Sequence, residues 1–375
     1  MILISFVAIL SYLILIGALI IGFNKIKLFN LENIKAKTNF SICIAFRNEA
    51  NNLPELLKSI KGLDYPKTDF EIIFVDDDSI DDSVKIINQW QVNNSKTNIQ
   101  IIKNKRKTNA PKKDAITTAI NHSKNDWILT TDADCVLPQY WLTSYDQYIQ
   151  KTNATCIAAP VTYNKTNSFL NRFQLLDFLS LQGATIGGFG IKKPFLCNGA
   201  NFGYKKELFQ QLNGFKGNTN IASGDDIFLL EKVLKHHPKN LHYLKSKHAI
   251  VITKPQQLVK KLIDQRLRWA SKTSSYNNTF GKLTGLIVLL INALIITAII
   301  CAILNVISTK ILMYILLIKL NIDFLLIYKT AIFFDQKGVL KSYLLSFLIY
   351  PFFSVYIAFI STFKSYKWKN RSFKK

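Results

Sequence analysis

The sequence has few cysteines and none of the spacings that cysteine-based sites require. The five are scattered, without a C-x-x-C pair: Cys43, Cys135, Cys156, Cys197 and Cys301. This argues against a disulfide framework and against a structural zinc site. The simplest inference is that the soluble part of the chain works in a reducing compartment.

Acidic residues are scarce relative to basic ones. The 375 residues include 48 lysines and arginines against 24 aspartates and glutamates, a formal net charge of +24. Such a balance suits nucleic acid, acidic lipid or phosphorylated small molecules, although composition bias explains a lysine excess equally well. Because no aromatic-basic binding motif accompanies the charge, we predict no nucleic-acid partner.

The N-terminal segment lacks the features of a cleaved signal peptide. Residues 2–23 are uncharged and long enough to cross a bilayer, but no basic residue precedes them and no cleavage site is evident. Residues 1–24 are therefore predicted to form a transmembrane helix. Lys25 and Lys27 follow it, so the positive-inside rule places the N-terminus outside and the chain from residue 24 in the cytoplasm.

The C-terminal third is also apolar. Stretches at about 284–307, 311–334 and 340–363 make residues 283–364 a predicted transmembrane region, followed by a basic tail at 365–375. Three full spans would put that tail outside, against the positive-inside rule. We therefore expect one stretch to be re-entrant or interfacial, or one boundary to differ, in a multi-pass protein of the cell (inner) membrane.

One of these apolar stretches contains charges. Lys319 and Asp323 lie four residues apart and can pair on one helix face. Charges inside a membrane span are often functional, but nothing else polar accompanies this pair. We interpret it as a structural pair between packed helices.

The middle of the chain, residues 37–272, alternates strand and helix patterns, with no internal repeat and no low-complexity linker. Helices are predicted at 51–60, 81–90 and 112–123, and strands at 41–46, 70–77, 99–104 and 126–134. This order predicts an α/β domain with a mostly parallel sheet and helices on both faces. Ligands bind such sheets beyond the carboxyl ends of the strands, where Arg47, Glu49 and several aspartates stand.

Two acidic groups follow the second and fourth predicted strands. Asp76, Asp77 and Asp78 follow the second, where a solvated Asp-rich turn is the plainer interpretation. Asp132 and Asp134 end the fourth, and in extended geometry their side chains point the same way. Two such carboxylates suit Mg²⁺ or Mn²⁺ together with phosphate oxygens, although an Asp-capped turn explains the same residues.

Later segments carry further candidates. Asp225 and Asp226 open a helical pattern, either as first-turn acids that complement the helix dipole or as a general base. Residues 265–272 combine glutamine, arginines and tryptophan, which suits a juxtamembrane anchor or a phosphate clamp with a stacking indole. The apolar segment 173–191 suits a membrane-surface helix that leads a lipid or growing chain to the site, or an ordinary core helix.

In this order, the segments resemble the family 2 glycosyltransferases, whose catalytic domain has the Rossmann-like GT-A fold. The matching segments are IAFRNEANNLPELLKSI, FVDDDSIDDS, KKDAITTAI, TTDADCVLP, CNGANFGYKKELFQQLNGF, SGDDIFLLEKVL and QRLRW. They cover about residues 38–272. The Q-x-x-R-W element resembles membrane-integrated members such as cellulose, chitin, hyaluronan and poly-N-acetylglucosamine synthases and ceramide glucosyltransferases.

The resemblance implies a binding site for a nucleotide-sugar donor. Asp77, with Asp76 beside it, would recognise the base, and Asp132 and Asp134 would hold the diphosphate with Mg²⁺ or Mn²⁺. Gln265, Arg268 and Trp269 would close over the diphosphate and border the acceptor channel. The other residues assigned to this site are Arg47, Glu49 and Lys113, with Lys112 as the alternative to Lys113.

The resemblance also implies an inverting transfer, with Asp226 as the base that deprotonates the acceptor hydroxyl and Asp225 beside it. The chain departs from the family pattern at Asp78, where Gly is usual, and at Asp225, where Glu is usual. The expected donor is a UDP-hexose or UDP-N-acetylhexosamine, and the acceptor is a lipid or a cell-envelope polysaccharide. The alternatives are a processive polysaccharide synthase and, from another class, a non-catalytic membrane scaffold that binds nucleotide sugars.

Overall fold

The structure, a computed structural model, describes residues 2–165, 167–272, 275–363, 366–368 and 371–373. The chain divides into two compact units. The α/β unit comprises Lys27–Asn164 and Cys197–Lys254, and the helical unit comprises Met1–Ile26, Lys165–Leu196 and Pro255–Lys375. Residues 165–196 and 255–272, which the sequence analysis assigned to a catalytic domain at 37–272, thus group with the apolar ends of the chain.

The helices and strands follow one another in a largely alternating order. They are α1 (Ile2–Lys25), β1 (Phe40–Phe46), α2 (Leu53–Lys61), β2 (Phe70–Asp76), α3 (Ser83–Val92), β3 (Asn98–Lys103), α4 (Pro111–His122), β4 (Trp127–Thr130), α5 (Trp141–Lys151), β5 (Cys156–Ala158), β6 (Val161–Tyr163), α6 (Phe169–Gly190), β7 (Phe202–Lys205), α7 (Lys206–Gln211), α8 (Asp225–His236), β8 (Leu241–Tyr243), β9 (Val251–Thr253), α9 (Val259–Ala270), α10 (Thr279–Ile303), α11 (Thr309–Phe333), α12 (Tyr343–Phe363), β10 (Tyr366–Trp368) and β11 (Arg371–Phe373).

The α/β unit is built on a mostly parallel sheet, as predicted. Among the described residues the strand order is β3-β2-β1-β4-β7-β5-β8, in which β7 alone runs antiparallel to its neighbours β4 and β5. The apolar runs of β1 and β2 are buried along nearly their whole length, because strands covered on both faces have no solvent side. The carboxyl ends of β1, β2 and β4 therefore lie at the same edge.

The fourth strand is shorter than predicted. It ends at Thr130, and the amide of Cys135 donates to the carbonyl of Asp132 at 3.2 Å, which closes a turn. The expectation that Asp132 and Asp134 are extended, with side chains aligned by the two-residue period, is therefore wrong. The pairing of β4 with β7 stops at Thr130, and the amide of Thr131 still donates to the carbonyl of Cys43 at 3.4 Å before the chain turns.

The helical unit contains the long apolar helices. Within the described residues, four segments are long and apolar enough to cross a membrane: Ser5–Lys25, Thr279–Ile303, Thr309–Phe333 and Lys337–Phe363. Their outward side chains are large and apolar, with Phe6, Ile14, Ile303 and Phe359 each more than 60% exposed. Such a surface is unfavourable in water and suits lipid. The expectation that one C-terminal segment is re-entrant or interfacial stays a prediction.

Helix α6 packs directly against α1. A side chain at Gly22 would collide with the backbone of Gly187, and one at Gly190 would collide with the backbone of Gly22. Small residues allow such close helix crossings in membrane proteins. Segment 173–191, which lies almost wholly in α6, is thus an interior helix of its unit.

The basic tail is described only in part. Strands β10 and β11 form an antiparallel pair, in which Tyr366 lies opposite Phe373. The other residues of the predicted tail at 365–375 lie outside the described residues.

Candidate functional site

The loop after β2 holds Asp77 among donor groups. The Asn104 amide donates to Asp77 Oδ1 at 2.8 Å, and Arg106 Nε lies 4.0 Å from the same oxygen. The Asn104 amide also donates to the carbonyl of Pro111 at 3.2 Å. Since Pro111 is the first residue of α4, this amide ties Asp77 to the start of that helix.

Arg47, at the end of β1, supports the same loop. Its Nη1 donates to the backbone carbonyls of Asp77 and Asp78, the latter at 2.8 Å. Asp78 has φ of 60°, a left-handed conformation that Gly favours and Asp tolerates better than most residues. The departure from the family's Gly at this position therefore keeps the turn, and the Asp76 carboxylate accepts from the Ser79 amide at 2.9 Å within it.

Glu49 lies at the start of α2. The side chain of Asn52 donates to Glu49 Oε2 at 2.6 Å, and the backbone amide of Glu49 donates to Ser83 Oγ at 2.8 Å. These bonds connect the beginnings of α2 and α3 beside the β1 terminus. The assignment of Arg47 and Glu49 to the nucleotide sugar stays a prediction.

A second group of charges is centred on Lys112, the second residue of α4. Its Nζ lies 2.7 Å from Asp132 Oδ1 and 3.3 Å from Asp225 Oδ2. Burial opposes the charge on this ammonium group, but the attraction of Asp132 and Asp225 outweighs it and raises the pKa of Lys112 above its ordinary value. A protonated lysine thus joins the turn after β4 to the first turn of α8.

Asp226 lies in the same first turn of α8. Its Oδ2 accepts from the backbone amide of Gly199 at 3.0 Å, and its Oδ1 accepts from the amide of Ile227 at 2.8 Å. A carboxylate at a helix N-terminus is also favoured by the helix dipole. Asp225 and Asp226 are therefore first-turn acids, and they stand beside Lys112 and Asp132. The role of Asp226 as a general base, with Asp225 beside it, stays a prediction.

Gly199 makes this arrangement sterically possible. A Cβ atom at this position would lie 2.9 Å from Asp225 Oδ2, closer than real Cβ contacts allow. Its carbonyl accepts from Thr130 Oγ1 at 2.8 Å, which fixes it at the end of β4. Gly199 was not identified from the sequence, where it stands in the CNGAN part of a segment that matches the family. A glycine inside such a segment was the signal that could have identified it.

The two neighbouring lysines have different partners. Lys113 is 1% exposed, and its ammonium donates to the carbonyls of Asn218 at 2.7 Å and Ile221 at 2.9 Å, 4.6 Å from the ring centroid of Phe228. It therefore attaches the 218–221 loop to α4, whereas Lys112 contacts the acids. The assignment of Lys113 to the nucleotide sugar stays a prediction.

Asp132 and Asp134 provide oxygen ligands of the type that Mg²⁺ and Mn²⁺ prefer. Among the described residues, no three His, Cys, Asp or Glu side chains converge in a way that would hold a metal ion. Mg²⁺ sites commonly use one or two carboxylates and take the remaining ligands from water and substrate phosphates. The assignment of Asp132 and Asp134 to a metal of that kind, shared with a bound diphosphate, stays a prediction.

The Q-x-x-R-W element lies in α9, in the helical unit. Its buried charged residue is Arg266, whose Nε donates to Asp177 Oδ2 at 2.8 Å and whose guanidinium lies 4.1 Å from the ring centroid of Trp269. Gln265 Oε1 accepts from Arg266 Nη1 at 2.5 Å. The element is thus fixed to α6 by a residue that the sequence analysis did not single out. The roles of Gln265, Arg268 and Trp269 at a diphosphate stay predictions.

A solved structure shares the overall fold of this chain. It is the mannosyltransferase PcManGT from Pyrobaculum calidifontis in complex with GDP-Man and Mn²⁺, with a TM-score of 0.54 and 15% sequence identity. The match covers 92% of this chain and 99% of that one. At this identity the likeness establishes the fold alone, and it confirms the expected GT-A type of α/β domain.

Two curated relatives match parts of the chain. The poly(ribitol-phosphate) beta-N-acetylglucosaminyltransferase TarS of Staphylococcus aureus is 28% identical over 95 residues, which are 25% of this chain and 16% of that protein. The poly-beta-1,6-N-acetyl-D-glucosamine synthase of Staphylococcus epidermidis is 26% identical over 165 residues, 43% of this chain and 37% of that protein. The chain thus spans well under half the length of each.

Family models cover more of the sequence. The model of glycosyl transferase family 2 matches residues 41–212, and the model of glycosyl transferase family group 2 matches residues 127–360. The second match includes more than half of the chain, both Asp132 and Asp226, and most of the apolar C-terminal region. The protein therefore belongs to the glycosyl transferase family group 2.

Proposed function

We propose that the protein is a membrane-bound inverting glycosyltransferase. It transfers a sugar from a nucleotide sugar, a UDP-hexose or UDP-N-acetylhexosamine, to a lipid or polysaccharide acceptor of the cell envelope. The observation that carries this proposal is that Lys112 contacts both Asp132 and Asp225, with Asp226 beside them. This cluster lies at the edge of the sheet of the α/β unit where the parallel strands end. A purely structural cluster would not need three acids around one lysine.

The donor half of the proposed site uses fixed positive charge. Asp77 recognises the nucleotide base of the donor. Lys112 provides an ammonium group, and its raised pKa keeps this group charged. A cation aimed at the departing diphosphate stabilises the charge that develops there. A divalent metal held by Asp132 and Asp134 would supply Lewis-acid stabilisation of the same group.

The acceptor half uses Asp226 as the base. Two backbone amides, those of Gly199 and Ile227, hold its two oxygens and fix its orientation. The carboxylate takes the proton of the acceptor hydroxyl while that oxygen bonds to the anomeric carbon and the bond to the diphosphate breaks. A single displacement of this kind inverts the anomeric centre, and Asp225 keeps Lys112 in place beside it.

The proposed location is the cell (inner) membrane, with several spans and the α/β unit in the cytoplasm. It is supported by the four apolar helices and by Lys25 and Lys27 immediately after the first apolar run. A reporter fused after Lys375 tests on which side the tail lies.

The function is tested with membranes that contain the full chain. They are incubated with radiolabelled UDP- and GDP-sugars, with Mn²⁺ or Mg²⁺ and then with a chelator. We expect label from a UDP-sugar in a lipid extract or in a polymer, and loss of that label with the chelator. Label in the lipid extract identifies single transfer, and label in a polymer identifies processive synthesis. Binding of the nucleotide sugar without any transfer would instead support the non-catalytic scaffold.

A further inference from the structure

The helical unit contains a cavity that the proposed transfer does not use. It is lined by α1, α6, α10, α11 and α12 and has a cavity volume of about 160 Å³. Most of the wall is apolar, with side chains such as Ile16, Leu176, Val288 and Phe347.

The charges in the cavity wall are balanced. Lys319 Nζ lies 2.6 Å from Asp323 Oδ2, and the Tyr12 hydroxyl donates to the other oxygen of Asp323, which confirms the ion pair inferred from the sequence. Asp177, the remaining acid of the wall, is paired with Arg266 at 2.8 Å. Each acid therefore has its own cation, and the wall has no surplus charge. A phosphate group in such an apolar site would require an unshared cation.

Three uncharged polar side chains of the wall have atoms without a partner. Thr284 Oγ1, Asn292 Oδ1 and Ser346 Oγ are buried and make no hydrogen bond to any residue that the structure describes. These side chains are 8%, 0% and 5% exposed, and all three line the cavity. Buried polar groups are almost always hydrogen-bonded, so three of them in one cavity indicate a missing partner. The amide oxygen of Asn292 accepts only, whereas the two hydroxyls can donate or accept.

We propose that this cavity binds the uncharged, hydroxyl-bearing head of a membrane glycerolipid, of the diacylglycerol or glycosyl diacylglycerol class. An alcohol donates to Asn292 Oδ1 and exchanges hydrogen bonds with Thr284 and Ser346, while an acyl chain covers the apolar wall. Binding stands independently of the proposed function. An alcohol of this class would also suit the proposed transfer as its acceptor, and that second role rests on the proposed function.

The test uses the full chain in phosphatidylcholine nanodiscs with a photoactivatable short-chain diacylglycerol. We expect the labelling to be saturable. Unlabelled dioctanoylglycerol should compete with the labelling, and polyprenyl phosphate should not. Ser346→Ala removes only the unpartnered hydroxyl. Asn292→Leu removes the unpartnered acceptor together with the amide that donates to the carbonyl of Val288 and to Ser354 Oγ. Each should weaken labelling about threefold to tenfold, the effect of one hydrogen bond.

The matched control is Ser361→Ala on the same helix. Ser361 is equally buried, but its hydroxyl donates to the carbonyl of Ala358 and it does not line the cavity. Labelling should be unchanged in this variant. Three results would overturn the inference: equal labelling in all three variants, competition by polyprenyl phosphate, or labelling that never saturates. Water would then be the partner of these polar groups.

The same preparations separate this inference from the proposed function. Saturable diacylglycerol labelling without sugar transfer from any donor would retain the lipid site and reject the transferase. Transfer in membranes together with unsaturable labelling would retain the transferase and reject the lipid site. Thermal unfolding is measured for Asn292→Leu as well, because this substitution also removes two hydrogen bonds of the Asn292 amide. Loss of labelling with unchanged thermal unfolding reports on the ligand.

Discussion

The α/β unit and the helical unit hold their charges in different ways. In the α/β unit, Lys112 is shared by two acids with a third beside them, and its side chain and that of Asp132 are 19% and 35% exposed. In the helical unit, Lys319 and Arg266 each have one acid, and both cations are less than 10% exposed. The first arrangement has surplus negative charge and access to solvent, so its partners can exchange with a ligand. The second arrangement is shielded from solvent, and its ion pairs have a structural role.

The comparison predicts that substitutions in the open cluster change activity and that substitutions in the closed pairs change stability. The largest expected effect is that of Asp226→Asn, which keeps the shape of the side chain but removes the proposed base. Transfer should fall about 10²- to 10⁴-fold, the usual contribution of a general base. Radiolabelled transfer in membranes measures it, and Asp82→Asn, an exposed acid near the start of α3, is the control. Unchanged transfer in both Asp226→Asn and Asp134→Asn would remove the roles assigned to these acids.

The next effect concerns stability in the helical unit. Asp177→Asn leaves Arg266 buried without its counter-charge, and such losses cost about 3–5 kcal/mol. Thermal unfolding of the detergent-purified chain should show a large drop, which Asp177→Leu combined with Arg266→Met should largely restore. Asp132→Asn, in the open cluster, should change stability by about 1 kcal/mol or less. If the two single variants unfolded at the same temperature, the distinction between open and closed charges would be wrong.

The two adjacent lysines of α4 give a matched pair inside the α/β unit. Lys112→Met removes the ammonium between Asp132 and Asp225, and kcat/KM for the donor should fall about 10- to 100-fold because a fixed charge at the diphosphate is lost. Lys113→Met instead releases the carbonyls of Asn218 and Ile221 and should lower the unfolding temperature. Steady-state kinetics and thermal unfolding on both variants measure the contrast. The reverse pattern would exchange the roles of the two residues.

A smaller effect is expected from Gly199→Ala. The added Cβ meets Asp225 Oδ2, so the carboxylate must shift away from Lys112, and transfer should fall roughly tenfold by misplacement within the site. Gly62→Ala, where an added Cβ makes only ordinary contacts, is the control. Equal activity of the two variants would show that the packing at Gly199 does not position the acids.

The smallest effect is in the pH profile. The folded pKa of Lys112 lies above its ordinary value of about 10.4, so its contribution to stability is fully present below that value and is lost only as the pH rises through the folded pKa. The ratio of wild-type to Lys112→Met kcat/KM should therefore stay constant from about pH 6 to 9. A ratio that declines within this range would show that the lysine loses its proton and that the acids do not hold it charged.

Much of the fold follows from the sequence alone. The four apolar runs, the strands β1 to β3 and the helices between them were predicted to within a few residues, because hydrophobic length and periodicity are local properties. The acids at the strand ends were found for the same reason: the edge of a parallel sheet is fixed once the strands are known. The end of β4 was not predicted correctly, because the length of this strand depends on its pairing with β7, which lies far along the chain.

The sequence by itself determined the class of fold, the apolar helices and which acids stand at the carboxyl edge of the sheet. Only the tertiary structure decided that Lys112 rather than Lys113 contacts Asp132 and Asp225, and that a side chain at Gly199 would meet the Asp225 carboxylate. It also decided that Arg266 is the buried arginine of α9 and that α6 crosses α1 at glycines. The physical reason is common to all of these: each depends on contact between segments far apart in sequence, whereas a pattern records only the preferences of neighbouring residues.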